Sequence, residues 1–332
     1  MFDLVGADLF NYGAIARAEI AALRRITPIL VVFWSALLLM EEIQKTENQA
    51  SGILSGVIRA ESATGDLRLH EFHSRIFHNT RFLRVWLPPG YENPENTDRR
   101  YPLLYLNDGQ NLFESLSSFN GVEWQVDETA DRLIRDGSVR PLIIVGIDNA
   151  AKDRIREYMP YRSFQPMIMR VQGNRYPDFL IKEVMPFVAR NYRVALGPEN
   201  TGLGGSSLGA LIALYVAAVR PGVFGRLLLE SPSLWASNRQ MIRESRDVQR
   251  WPERIFLATG TAEAGRPDRD QSMVHDVREL AAIFRRAGLD DRQLKLFVDE
   301  GATHHESAWA HRFPEALSFL FGNTSVQQGS PS

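Results

Sequence analysis

Ser207 sits in Gly205-Ser206-Ser207-Leu208-Gly209, a G-x-S-x-G pattern that can lift a serine hydroxyl onto a sharp turn between a strand and a helix. Residues 200–203 can finish a buried strand. Leu211, Ile212, Leu214, Tyr215 and Val216 supply the apolar positions of a helix ending near Arg220-Pro221-Gly222. Gly205 and Gly209 then flank the serine where a tight turn leaves no room for side chains, and the Leu208 amide at the helix N-terminus can face a developing oxyanion. A serine hydroxyl is too weak an acid to attack an ester unaided at neutral pH, so it needs a histidine to take its proton and an acid to orient that histidine. Glu263 follows the apolar run 254–259 and His304 follows the run 293–298. Nucleophile, acid and base therefore come in that order, each just past a candidate strand. Two other readings compete. The segment could be a glycine-rich turn without chemistry, or a nucleotide turn opening at Gly202-Leu203-Gly204 with Glu230 as the ribose contact. The second lacks its third glycine, because that position is Ser207.

The elements that must position these residues alternate along the chain. Runs 67–74 and 81–87 alternate apolar and polar side chains and read as two antiparallel strands of a sheet edge, the second closed by Pro88-Pro89-Gly90. Residues 101–106 are almost continuously apolar, as in a strand buried on both faces, and release the chain into Asn107-Asp108-Gly109-Gln110-Asn111. A helix over 124–134, a buried strand over 141–147 and a helix over 176–192 follow. Beyond the serine come strands at 227–230, 254–259 and 293–298 and helices at 271–287 and 308–321. Residues 154–171 have no clean period and read as an excursion over the active-site edge. The alternation predicts an α/β fold, a doubly wound, mostly parallel sheet with an antiparallel leading edge, over residues 64–322. Ligands of such a sheet bind at the C-terminal ends of its strands.

Composition excludes several classes. The chain has 332 residues, 44% of them hydrophobic, enough for one large domain plus an extension. A net charge of −2 without a basic stripe argues against nucleic acid. Cysteine is absent, which removes disulfides, thiolate metal sites and a cysteine nucleophile. No zinc motif or calcium loop is present, so no metal and no cofactor are expected. Residues 1–63 read as an N-terminal extension whose apolar run 26–40 lies between Arg24-Arg25 and Glu41-Glu42. That run fits a signal peptide or a signal anchor, which would make the protein extracytoplasmic or membrane-anchored. The competing expectation is a buried helix in a cytoplasmic protein. Residues 323–332 read as a disordered tail.

From about residue 67 to 322 the chain resembles the putative-esterase family of α/β-hydrolases, with its enterochelin-esterase-like, esterase-D-like, feruloyl or acetyl esterase and mycolyltransferase members. The likeness rests on Leu87-Pro88-Pro89-Gly90-Tyr91, on 104–113 (LYLNDGQNLF), on Gly146-Ile147-Asp148-Asn149, on the Ser207 motif, on Ser231-Pro232-Ser233-Leu234-Trp235 and on His304-His305-Glu306-Ser307-Ala308-Trp309. The resemblance implies the α/β-hydrolase fold, Ser207 as nucleophile and, through H-x-E-x-x-W, His304 as base. His305 is the competing base. Glu263 matches the family's G-T-x-E turn, with Asp268 and Asp270 as competing acids. The oxyanion hole should pair the Leu208 amide with that of Gly109 or Gln110. Asp108 reads as a turn acceptor. Asn149, Arg162 and Trp235 are the candidate substrate contacts.

The expectation is a serine carboxylic-ester hydrolase working through an acyl-enzyme on a small ester, an acylated sugar or a siderophore ester. The alternatives are an acyltransferase passing the acyl group to a sugar or lipid alcohol, and a non-catalytic binding module on the same fold.

Overall fold

A computed structural model describes residues 57–59, 63–162 and 170–323. The apolar run 26–40, the tail beyond 323 and residues 163–169 of the predicted excursion lie outside the described residues. Among the described residues one nine-stranded sheet runs in the order β1-β2-β3-β5-β4-β6-β7-β8-β9. Strands β1 (Val57–Arg59), β2 (Asp66–Ser74) and β3 (Asn79–Leu87) are antiparallel, and β3 also pairs antiparallel with β5 (Ile143–Ile147). From β5 onward, β4 (Leu103–Asn107), β6 (Thr201–Ser206), β7 (Arg226–Glu230), β8 (Arg254–Gly260) and β9 (Leu294–Asp299) are all parallel. This is the α/β-hydrolase arrangement, with its mixed leading edge. Strand β1 falls inside the stretch assigned to the extension, because three residues carry too little pattern to be read as a strand.

The five residues of β4 and the five of β5 are all buried, which is why these strands are apolar runs and β2 alternates. Helices cover both faces. On one face lie α1 (Val126–Arg135) and α7 (Glu306–Phe321), whose Leu133, Phe313, Leu317 and Phe321 pack on Leu104, Leu106, Ile144 and Phe256. On the other, α4 (Leu208–Val219) and α6 (Pro267–Arg286) pack on Tyr105, Val145, Leu203 and Leu257. Also on the described chain are α2 (Arg154–Tyr158), a helix over 176–191 (α3) and α5 (Ala236–Ser245). Helix α4 is apolar almost all round because the elements beside it cover most of its circumference. Each of its buried leucines and isoleucines is worth about 1.5–3 kcal/mol, so the helix that orients Ser207 is firmly seated.

Candidate active site

The chain leaves β6 at Ser206 and enters α4 at Leu208, and Ser207 makes the turn alone at φ 56°, ψ −123°. A non-glycine residue there is strained and is held by its surroundings. The Ser207 amide donates to the Glu230 carbonyl at 2.9 Å and its carbonyl accepts from the Ser233 amide at 3.1 Å. The flanking glycines are needed for space. A Cβ on Gly205 would stand 2.9 Å from the Gly209 carbonyl carbon, and one on Gly209 would stand 2.9 Å from Asp108 Oδ2. The Leu208 amide begins α4 among the donors a helix leaves without internal partners.

The loop after β4 is built from a left-handed residue, Asp108 (φ 59°, ψ 49°), and the short turn Gly109–Asn111. Asp108 is buried and accepts from Arg154 at both oxygens, Nε–Oδ1 2.7 Å and Nη2–Oδ2 2.8 Å, and from Asn149 Nδ2 at 2.7 Å. A Cβ on Gly109 would meet Gly146 C at 2.6 Å and Ile147 N at 2.7 Å, so the loop lies directly on β5. Gln110 is fixed at both ends: its Oε1 accepts from the Asn149 amide at 3.2 Å and its carbonyl from Ser117 Oγ at 2.7 Å.

Glu263, on the turn after β8, and His304, on the loop after β9, meet at 2.5 Å between Oε2 and Nδ1. The Glu263 side chain is fully buried. Its Oε1 accepts from Ser231 Oγ at 2.6 Å and from the Gly260 amide at 2.6 Å. Burial works to raise the Glu263 pKa, but the hydrogen bonds from His304, Ser231 and Gly260 outweigh it and hold the carboxyl below its ordinary value. With the carboxylate on Nδ1, that nitrogen carries a proton, and in the neutral imidazole Nε2 is then the acceptor. The Trp309 ring stands edge-on to the imidazole, centroids 5.2 Å apart.

A cleft of about 690 Å³ joins these parts, and Gln110, Asn149, Arg154, Ser207, His304 and Trp309 are among its lining residues. In this resting arrangement the Ser207 hydroxyl bonds Ser233 Oγ at 3.2 Å. Either hydroxyl of that pair can be the donor.

Ser207, His304 and Gln110 line one cleft, Glu263 is bonded to His304 without lining it, and Leu208 and Gly109 are the chain neighbours of Ser207 and Gln110. The competing acids go elsewhere. Asp268 is exposed and pairs with Arg266, and Asp270 accepts from the Ala264 amide at 2.6 Å. Both belong to the first turn of α6, which starts at Pro267 rather than at Gln271, with proline at its start and acids where the helix dipole favours them. His305 caps α7, its Nδ1 accepting from the Ser307 amide at 3.2 Å. Of the candidate substrate contacts only Asn149 lines the cleft, and its side chain is already engaged by Asp108 and by the Ala151 amide. Arg162 is exposed beside the undescribed residues, and Trp235 is 57% exposed; neither lines the cleft.

Sequence reasoning missed Arg154, whose partner Asp108 is remote in the chain, and the buried face of α7. That face carries Glu306, Trp309 and Arg312 at i, i+3 and i+6, a spacing that is legible as one helix side. Among the described residues no cluster of three or more His, Asp or Glu side chains could hold a metal ion.

The family model described as Putative esterase matches residues 74–320. The chain belongs to that family. It is 24% identical over 255 residues to the uncharacterized protein YbbA of Bacillus subtilis, covering 74% of this chain and 93% of the relative. It is 24% identical over 265 residues to an endo-1,4-beta-xylanase/feruloyl esterase of Xylanibacter ruminicola, covering 77% of this chain but 31% of the relative. Among solved structures, the enterobactin esterase FES of Shigella flexneri superposes with a TM-score of 0.58 at 19% identity, over 76% of this chain and 58% of that one. The last two relatives are thus matched over only part of their length, and the structural likeness bears on the fold.

Proposed function

We propose that this esterase-family chain is a serine carboxylic-ester hydrolase acting on small esters. The observation that carries the reading is the Glu263–His304 hydrogen bond opening on the same cleft as Ser207 on its strained turn. Ser207 Oγ attacks the ester carbonyl carbon while His304 Nε2 takes its proton. The carbonyl oxygen becomes an oxyanion facing the Leu208 amide and the amide of Gly109 or Gln110. Collapse expels the alcohol, which leaves with the proton from His304. Water then attacks the acyl-serine, again deprotonated by His304, and Ser207 recovers its proton as the acid departs. Glu263 holds the imidazole in the productive tautomer throughout. The cleft combines polar walls, among them Asn111, Asn120 and Arg154, with the rings of Phe119 and Trp309. This mixture suits an ester with an aromatic or apolar part and hydrogen-bonding substituents, in keeping with the feruloyl and enterobactin esterases it is similar to.

The test is hydrolysis of a p-nitrophenyl ester series by wild type and Ser207→Ala. Turnover in wild type should fall at least about 10⁴-fold in the variant with the fold retained, and a serine-directed phosphonate should label only wild type. Undiminished turnover in Ser207→Ala would end the reading.

A further inference from the structure

Ser231 sits directly after β7 in a left-handed backbone (φ 45°) and is 1% exposed, behind the triad and outside the cleft. Its hydroxyl is surrounded by three groups. Trp309 Nε1 stands at 3.0 Å, Arg312 Nη2 at 3.3 Å and Glu263 Oε1 at 2.6 Å. A serine hydroxyl has one proton and two lone pairs, whereas an indole N–H and a guanidinium can only donate. The two lone pairs therefore receive Trp309 and Arg312, and the proton has a single acceptor, Glu263 Oε1. The hydroxyl is left with one orientation.

From this geometry we infer that Ser231 is a positioning residue for the triad: held by Trp309 and Arg312, it commits its proton to one oxygen of Glu263 and reserves the other for His304. Arg312 can serve as the anchor because it is itself fixed, fully buried, by Glu230 at 2.8 Å and Asp299 at 3.1 Å. The charged groups around Glu263 are thus His304 from the β9 loop, Arg312 from α7 and Glu230 from β7, with Asp299 from β9 on the far side of Arg312's fork. Of these, His304 alone touches the carboxylate directly. Without the Ser231 proton, Oε1 keeps the Gly260 amide and a long contact to Thr259 Oγ1 at 3.4 Å, and the carboxylate gains freedom to turn from the imidazole.

The inference deepens the esterase reading and rests on it, so its test has one arm with turnover and one without. In Ser231→Ala, kcat for a p-nitrophenyl ester should fall about 10-fold, the size of one hydrogen bond to a charged group, with KM within about twofold and phosphonate titration still stoichiometric. Ser231→Cys, a weaker donor of similar size, should lie between, and Trp309→Phe should move the same way by less. The arm without turnover is thermal stability against pH. Glu263 is held below its ordinary pKa, so the stability it adds is present above the unfolded carboxylate value and is lost as pH falls through the folded one. The gap in Tm between wild type and Ser231→Ala should therefore hold from about pH 7 to 5 and shrink as pH falls below the ordinary carboxylate value of about 4. A gap that stays constant with pH, or a kcat within twofold of wild type, would overturn the positioning role. Absence of ester turnover in wild type would instead remove the esterase reading, and the pH dependence of the gap would still decide on Ser231.

Discussion

Replacing Gly109 by alanine isolates the contribution of the β4 loop to the proposed oxyanion hole. Gly109 is not among the positive-φ residues, so its backbone accepts alanine and the only obstacle is space. The added Cβ would lie 2.6 Å from Gly146 C, 2.7 Å from Ile147 N and 2.8 Å from Asp148 Oδ1. Two of those atoms belong to the backbone of a fully buried central strand and cannot move aside. Relief to an ordinary carbon contact needs a shift of about 1 Å, which falls on the loop, at a packing cost of about 1–3 kcal/mol. A donor displaced by that distance no longer reaches the oxyanion. The loss of one such donor corresponds to about 10²–10³ in kcat, or about 2.7–4 kcal/mol. The assay is kcat on a p-nitrophenyl ester normalised to phosphonate-titrated sites, with circular dichroism to verify folding. Gly109→Ala should keep KM within a few-fold while kcat falls about 100-fold. A fall of less than threefold in a folded variant would show that this loop supplies no transition-state contact.

Two further outcomes follow from buried charges. Arg154→Met strands the Asp108 carboxylate, which is 5% exposed, so urea unfolding should show a loss of about 2–4 kcal/mol. The estimate is held toward the low end of the cost of splitting a buried pair because Arg154 keeps 27% of its side chain in solvent. Asp108→Asn added to Arg154→Met should recover most of that loss, and a double variant no more stable than the single one would contradict the account. Asp127 is pushed up to about 8, first by burial and then by Glu128, although its Oδ2 accepts from the Thr64 amide at 2.6 Å. With the folded pKa raised, the stability it confers is full below the unfolded carboxylate value and drains away as pH rises through about 8. Asp127→Asn keeps the acceptor and has no charge to form. Its Tm relative to wild type should rise steadily from about pH 4 to pH 9, and an equal difference at both ends would refute the assignment.

The sequence made the repeating parts legible for physical reasons. Strands buried on both faces must be apolar throughout, so β4, β5 and β7 stood out, and Gly205 and Gly209 marked the turn because the backbone crowding there tolerates nothing larger. Glu263 and His304 were legible as residues just past strand ends. What pattern could not reach were orientations set by tertiary contacts. Trp235 and Arg162 are exposed and do not line the cleft, and Ser237, Asn238 and Arg239 break the start of α5 with left-handed backbone. The Arg154–Asp108 pair and the Ser231–Arg312 contact join residues remote in the chain, so no local spacing encodes them.

Helix α7 has a consequence for the order in which the molecule becomes competent. Its N-terminal turn adjoins His304, its middle supplies Trp309 and Arg312, and its C-terminal half supplies Phe313, Leu317 and Phe321 to the core on that face of the sheet. During synthesis the strained serine turn emerges from the ribosome well before this helix does. A nascent chain that already contains Ser207 still lacks His304, the partners Trp309 and Arg312 of Ser231, and one wall of its core. On the proposed mechanism, the base and one wall of the core are thus supplied by the same late stretch of chain.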